Sequence, residues 1–250
     1  MILLHVTDIH ASLADREGFF TRWAPLVKAV SALPAVWKPT AVAMTGDFVC
    51  DGSEEEFHLA GESVRQLLDA AGVPSNHVIV CPGNHDVTYK EGKADFTHFR
   101  TFCEEEGLAD KRLHVDGIAL AAVNACRKVT VSDYNHASLA EEDLVPMDEP
   151  FVLLTHYPPA WTEEKDRMRC EAEKAFLILS GHTHVESPKV SRYEGAISWN
   201  GIAVSPGRDG DCCGCQLLDV RDHRLAGAAL LRSLSQTDVD YRLEEVTWAW

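Results

Sequence analysis

The sequence predicts an α/β (α+β) fold in which two sheets pack face to face with helices outside. Three observations carry that reading. Strand and helix patterns alternate over the first part of the chain in the order βαβαβ. After Gly195 the pattern becomes strand-rich, with short turns and no convincing helix. Nothing repeats internally and no Pro/Ser/Gly linker marks a boundary, so residues 1–250 read as a single domain.

The first strand is expected at residues 2–7. The segment Met1-Ile2-Leu3-Leu4-His5-Val6 has no basic region and only a short apolar run, which fits a strand and not a signal peptide. His5 within it is expected to be a packed, hydrogen-bonded residue. Residues 19–32 carry the first helical pattern, with Pro25 marking a kink or the true start. Strands at 41–45 and 78–81 enclose a second helix. There Ser53 with Glu54, Glu55 and Glu56 forms an N-cap, capping box and acidic first turn. Phe57, Ala60, Val64, Leu67, Leu68 and Ala71 recur at helical spacing, and Gly72 closes the helix. Further β-rich runs fall at 118–123, 151–155 and 176–180, then at 197–199, 202–204, 216–220 and 226–231.

Apolar residues make up 46% of the chain and charged residues 25%, an ordinary globular composition that argues against disorder. The net charge of −16 gives a field that repels nucleic acid and anionic membranes, so a nucleic-acid coat protein is excluded as a class. No apolar stretch approaches the roughly 20 residues needed to cross a bilayer, and the expectation is a soluble, cytoplasmic protein. The eight cysteines are then expected as reduced thiols. Cys212-Cys213-Gly214-Cys215 lacks a second pair at zinc-finger spacing, so these read as loop or strand cysteines.

The residues that carry chemistry sit at strand ends. Asp8 and His10 follow the first strand, Gly46-Asp47 the second and Gly83-Asn84-His85-Asp86 the third. His156 follows the run at 151–155, and Gly181-His182-Thr183-His184 follows the run at 176–180. In α/β sheets ligands bind beyond the carboxyl ends of strands, so five such loops can converge on one crevice. Three carboxylate or amide oxygens with four imidazoles suit Mn²⁺, Fe, Zn²⁺, Ni²⁺ or Co²⁺. Seven ligands exceed one tetrahedral site and fit two ions sharing a carboxylate, for which Asp47 is the natural bridge. Two ions about 3.5–4 Å apart can hold a hydroxide and clamp a phosphoryl group for in-line attack. Taken singly, Asp-x-His, Gly-Asp and a lone His156 are ordinary loop chemistry. Gly-Asn-His-Asp is far more specific, and all five in this order at strand ends point to a metal centre.

With these motifs the chain resembles the calcineurin-like metallophosphoesterase superfamily over Asp8 to His184. The resemblance implies a four-layer α-β-β-α sandwich of two mixed sheets with flanking helices. It implies one ion held by Asp8, His10, Asp47 and His184, and another by Asp47, Asn84, His156 and His182. His85 would stand beside the substrate as a non-ligand histidine, stabilising the transition state or protonating the leaving oxygen. Asp86 would orient His85 or the loop. Protein phosphatases of the superfamily usually carry Gly-Asp-x-x-Asp and Gly-Asn-His-Glu. This chain has Asp47-Phe48-Val49-Cys50-Asp51 and Gly83-Asn84-His85-Asp86, more similar to bacterial phosphodiesterases, including cyclic-nucleotide phosphodiesterases, and to repair nucleases.

Asn124 and Arg127, after the run at 118–123, are candidate substrate contacts, an arginine there being suited to bidentate bonds with phosphate, with a solvated surface residue as the alternative reading. The expected activity is hydrolysis of a phosphodiester or phosphomonoester, with a small diester such as a cyclic nucleotide preferred and manganese as the first choice of metal. A nuclease is the second reading, with nucleic acid a partner only as substrate, but no basic track is evident. A nucleotide-sensing module is disfavoured because the ligand set is complete. The loops at 86–107 and 126–141 are expected to set specificity. The ending Trp248-Ala249-Trp250 is expected to pack on an outer sheet, with anchoring of a protein partner as the alternative.

Overall fold

A computed structural model describes residues 1–130, 132–133, 135–205, 213–233, 235 and 240–247. Cys212 and Trp248-Ala249-Trp250 lie outside the described residues. In chain order the elements are β1 (Ile2–Val6), α1 (Arg16–Ser31), β2 (Ala41–Thr45), α2 (Glu54–Ala71), β3 (Val78–Cys81), β4 (Thr88–Lys90), β5 (Lys93–Asp95), α3 (Thr97–Glu106), β6 (Arg112–Val115), β7 (Ile118–Ala122), β8 (Phe151–Leu154), α4 (Lys165–Ala172), β9 (Ala175–Ser180), β10 (Lys189–Tyr193), β11 (Ala196–Asn200), β12 (Cys213–Arg221), β13 (Arg224–Ser233) and β14 (Arg242–Val246).

The strands form two mixed sheets, ordered β14-β13-β12-β1-β2-β3 and β10-β11-β9-β8-β7-β6, and β4-β5 is a separate small hairpin. β1, β2 and β3 run parallel, as do β7, β8, β9 and β11. Side-chain alternation along the central strands makes the layers. Leu3, Ala43, Ile79, Leu154, Leu179 and Trp199 fill the space between the sheets. Leu4, Val6, Met44 and Val80 point the other way and meet Phe19, Trp23, Phe57 and Leu67 of α1 and α2, with Phe99 and Phe102 of α3. On the far side Ala121, Leu153 and Ile178 of the second sheet meet Met168 and Ala172 of α4. Strands buried on both faces read as unbroken apolar runs, which is why the central ones were legible in sequence. The result is the four-layer α-β-β-α sandwich.

Several elements differ from expectation. α1 begins at Arg16, capped by the Asp15 side chain that accepts from Gly18 N, and it runs through Pro25. The buried face of Phe19, Trp23, Leu26 and Val30 outweighs an interior proline's cost of about 3 kcal/mol. α2 keeps its N-cap and its closing glycine, with Ser53 accepting from Glu56 N and Gly72 in the left-handed region. The expected capping box is not made: Ser53 N donates to Asp51 Oδ1, and the Glu56 carboxylate accepts from Leu13, Cys50 and Asp51 N. The segment at 202–204 is not a strand. It leads from the second sheet, where Gly201 N donates to Ser180 O, to the first, where Val204 N donates to Thr7 O and Ala203 O accepts from Gly214 N. The sequence reading missed α3, α4, β4, β5, β6, β10 and β14. α4 buries only Met168, Glu171 and Ala172, too thin a stripe to stand out. β4 and β5 have three residues each and β10 is mostly exposed. Four hairpins turn on two residues of positive φ, at 91–92, 116–117, 194–195 and 222–223. No helix among the described residues is long and apolar enough to cross a membrane.

Candidate metal centre

The loops after β1 and β2 continue to pair beyond their strands, Asp8 N donating to Gly46 O (3.0 Å), His10 N to Asp47 O (3.0 Å) and Ala11 N to Phe48 O (2.8 Å). In the second sheet Gly181 N donates to His156 O (2.9 Å). The two sheets are joined where His182 N donates to the Asp8 carboxylate at 3.0 and 3.1 Å. Asp8, His10, Asp47, His182 and His184 all have φ between 43° and 69°, the left-handed region. For non-glycine residues this costs about 1–3 kcal/mol each and clusters at functional sites. Gly83 and Gly181 permit the crowding. A Cβ at the first would strike the backbone N and carboxylate of Asp47, and at the second the side chains of Thr7 and Asp8.

Two groups of ligand-type atoms result. Asp8, His10, Asp47 and His184 gather within 4.8 Å, as do Asp47, His156 and His182. Asp47 belongs to both, its Oδ2 lying 3.5 Å from His10 Nε2 and 3.4 Å from His156 Nε2. Asn84 Oδ1 joins the second group at 2.9 Å from His156 Nε2. His10 Nε2 faces His184 Nε2 at 3.2 Å, and His156 Nε2 faces His182 Nδ1 at 3.2 Å. Nitrogens on one ion at ordinary bond lengths stand about 3.0–3.4 Å apart, so these pairs have the spacing of a coordination shell. The outer ring nitrogens are already engaged: His156 Nδ1 with Thr45 O (2.7 Å), His184 Nδ1 with Ser205 O (2.8 Å) and His182 Nε2 with Asn135 Oδ1 (2.9 Å). Each bond turns the opposite ring nitrogen toward the cluster, where its lone pair can serve a cation once any proton there is displaced. The donor set and spacing fit two divalent ions.

The electrostatics point the same way. Burial alone would raise the Asp47 carboxyl, but the charge and hydrogen bond of His156, then His10 and His85, hold it well below the usual carboxylate range. Asp8 shows the same contest, with His184 outweighing burial and holding it at about 2. Burial opposes a charged His156, yet Asp47 pushes it up to about 9. Burial keeps His10 and His182 down at about 4. The cluster thus stores negative charge balanced by protons, which a bound cation displaces.

His85 lies against His10 (ring centroids 4.9 Å apart) and its Nδ1–H donates to Cys50 O at 2.8 Å. Its backbone N donates to the other Asp47 oxygen, Oδ1, at 2.9 Å. Asp86 bonds to the backbone of the loops. Its buried carboxylate accepts from Phe48 N (2.7 Å), Val49 N (3.2 Å) and Gly83 N (2.8 Å), stapling the Asp47 loop to the Asn84 loop. Burial and the Asp47 charge push its carboxyl up to about 7. Asn124 and Arg127 stand outside both ligand groups. Asn124 Oδ1 accepts from Cys126 N (2.9 Å), and the Arg127 fork is occupied by Asp143, Nη2 donating to Oδ1 at 2.7 Å. His5 is fully buried and bonds Thr45 Oγ1 at 2.9 Å. Sequence reasoning did not single out Asn135 or Trp161. Asn135 fell inside the 126–141 loop, and Trp161 follows His156 in the unusual run Tyr157-Pro158-Pro159.

A sandwich with a shared carboxylate, a second carboxylate and four histidines gathered at its strand ends defines a metallohydrolase architecture. The chain belongs to the calcineurin-like phosphoesterase family, which matches residues 1–186. It is 28% identical over 193 residues to the glycerophosphodiester phosphodiesterase GpdQ of Enterobacter lignolyticus (strain SCF1), covering 72% of this chain. The aligned part spans 65% of that relative's length. Among solved structures, a hypothetical protein from Thermus thermophilus is 15% identical with a TM-score of 0.51, covering 94% of this chain and 100% of its own. Sulfate thiohydrolase SoxB of the same organism, in complex with glycerol, is 15% identical with a TM-score of 0.50, covering 98% of this chain and 56% of its own. These two likenesses show the fold alone.

Proposed function

We propose that the chain is a metal-dependent phosphoesterase acting on a small phosphodiester, with a cyclic nucleotide as the candidate substrate. The observation that carries the reading is Asp47 standing between two ligand groups, 3.5 Å from His10 and 3.4 Å from His156. Family membership supports phosphoester hydrolysis, and the name of the relative GpdQ supports a diester. Asp8, His10, Asp47 and His184 would hold one divalent ion, and Asp47, Asn84, His156 and His182 the other. Such a pair supplies Lewis acidity toward the phosphoryl oxygens and makes water more acidic. Manganese is the first candidate, with Fe, Zn, Ni and Co fitting the same donors.

The chain's own groups do the rest. Thr45 O, Ser205 O and Asn135 hold three imidazoles in the orientation that binding requires. His85, oriented through Nδ1 by Cys50 O, offers Nε2 as the nitrogen that protonates the departing alkoxide or aryloxide. Asp86 keeps the two loops in register. Nucleic acid enters this reading only as a substrate, because the net charge of −16 disfavours a binding track. The described cysteines are free thiols, which supports a cytoplasmic setting. The test is metal analysis of protein purified without chelator, followed by a panel of cyclic nucleotides, glycerophosphodiesters, monoesters and single-stranded DNA. Turnover of small diesters with two bound ions is expected. Cleavage of DNA without turnover of small diesters would replace this reading by the nuclease one.

A further inference from the structure

We propose that Trp161 is a specificity residue, its indole forming a stacking wall beside the metal centre for a planar ring carried by the substrate, a nucleobase or an aryl group. The proposal rests on the phosphoesterase reading and narrows its substrate class. Trp161 is 49% exposed, whereas tryptophan in a folded protein is usually well covered. Among described residues the exposed large apolar side chains are Leu13, Val36 and Trp161. Two of these three lie on loops that build the site, Leu13 just beyond His10 and Trp161 just beyond His156. Exposure therefore concentrates where substrate must enter.

The indole touches the cluster directly. Its centroid lies 5.4 Å from that of His182, with the rings at 84°. An edge-to-face contact leaves at least one indole face clear of His182, and a stacking partner needs such a face. The ring is also held in place. Trp161 ends the short turn Pro159–Trp161, in which Trp161 N donates to Pro158 O at 2.9 Å. Thr162 is fully buried, and Glu163 N donates to Ala137 O at 3.0 Å. Two prolines and a buried anchor fix the backbone, so little freedom is lost when a ligand stacks. An aryl ring ester-linked to a phosphoryl group in the centre, or a base joined to it through ribose, would lie within reach of this face. The acidic surface favours a single nucleotide or aryl ester over a polynucleotide.

The test uses the Mn²⁺-loaded protein and its Trp161→Ala and Trp161→Phe variants. Calorimetric titration measures binding of AMP and of inorganic phosphate to each, and kcat/KM is compared for 2′,3′-cyclic AMP and glycerophosphoethanolamine. AMP is expected to bind the wild type about tenfold or more tightly than phosphate. Trp161→Ala removes most of that preference and shifts the kcat/KM ratio about tenfold toward the aliphatic ester, while Trp161→Phe retains most of it. Equal weakening of AMP and phosphate would reduce Trp161 to a support for His182 and overturn the proposal, as would a wild type with no preference for AMP. An intact AMP preference with no diester turnover would overturn the phosphodiesterase reading and leave the stacking wall standing.

Discussion

The Asp47 carboxylate lies 3.4 Å from His156 Nε2 with both side chains buried, and each residue keeps the other charged. Burial penalises both ions, yet His156 is pushed up to about 9 and Asp47 is held well below the carboxylate range. Because Asp47 also faces His10, one carboxylate organises both halves of the centre.

Replacing Asp47 by asparagine removes the shared negative charge while preserving size. Asp47→Asn is expected to lose bound metal and to lower kcat/KM for bis(p-nitrophenyl) phosphate by about a thousandfold or more, as several kcal/mol of charge stabilisation disappears. Metal analysis and rate are measured on the same preparation. Wild-type metal content with a wild-type rate would remove Asp47 from the centre.

Much of this arrangement was legible because strand ends are legible. The apolar runs leading to Asp8, Asp47, Asn84, His156 and His182 are buried on both faces, so each motif's position followed from its strand. Contacts set by irregular loops were not. Asn135 reaches His182 from 47 residues away, and Asp143 captures Arg127 across 16 residues. No local pattern encodes either. α3 escaped because Phe99, Phe102 and Cys103 supply only a short apolar face within a polar segment.

His85→Ala separates chemistry from assembly. His85 is outside both ligand groups, while its backbone N supports Asp47, a bond that alanine keeps. Metal content should be retained and kcat should fall about 10²–10⁴-fold for a poor leaving group. The loss should be smaller for p-nitrophenoxide, which departs without a proton. A uniform loss across leaving groups would argue against proton donation by His85.

Asp86→Asn tests the staple between loops. An amide cannot accept from Phe48 N, Val49 N and Gly83 N with both of its ends, so one buried N–H meets an NH₂ group. Destabilisation of about 1–3 kcal/mol is expected from that orphaned donor. Metal affinity should weaken about 10–100-fold, as for other supports behind a ligand loop. Denaturant melts with and without metal, together with titration of Mn²⁺, measure both; unchanged values would make the staple incidental.

His5, which belongs to neither ligand group, supplies a pH dependence of its own. Burial lowers its pKa from 6.5 to about 4, the Asp8 charge offsetting only part of that effect. Above about pH 6.5 the residue is neutral in both folded and unfolded chains and adds no pH dependence. Between 6.5 and 4 the unfolded chain binds more protons, so stability falls as pH drops, and below 4 the full penalty is in place. From pH 7 to pH 5 this one group removes about 2 kcal/mol. His5→Gln can still bond the Thr45 hydroxyl but does not titrate in that window. Urea denaturation of both proteins at pH 7 and pH 5 should show the wild type losing about 2 kcal/mol more than the variant over that interval. Equal losses would mean that His5 takes up its proton inside the fold, and the packing between β1 and β2 would then have to accommodate an imidazolium beside Thr45.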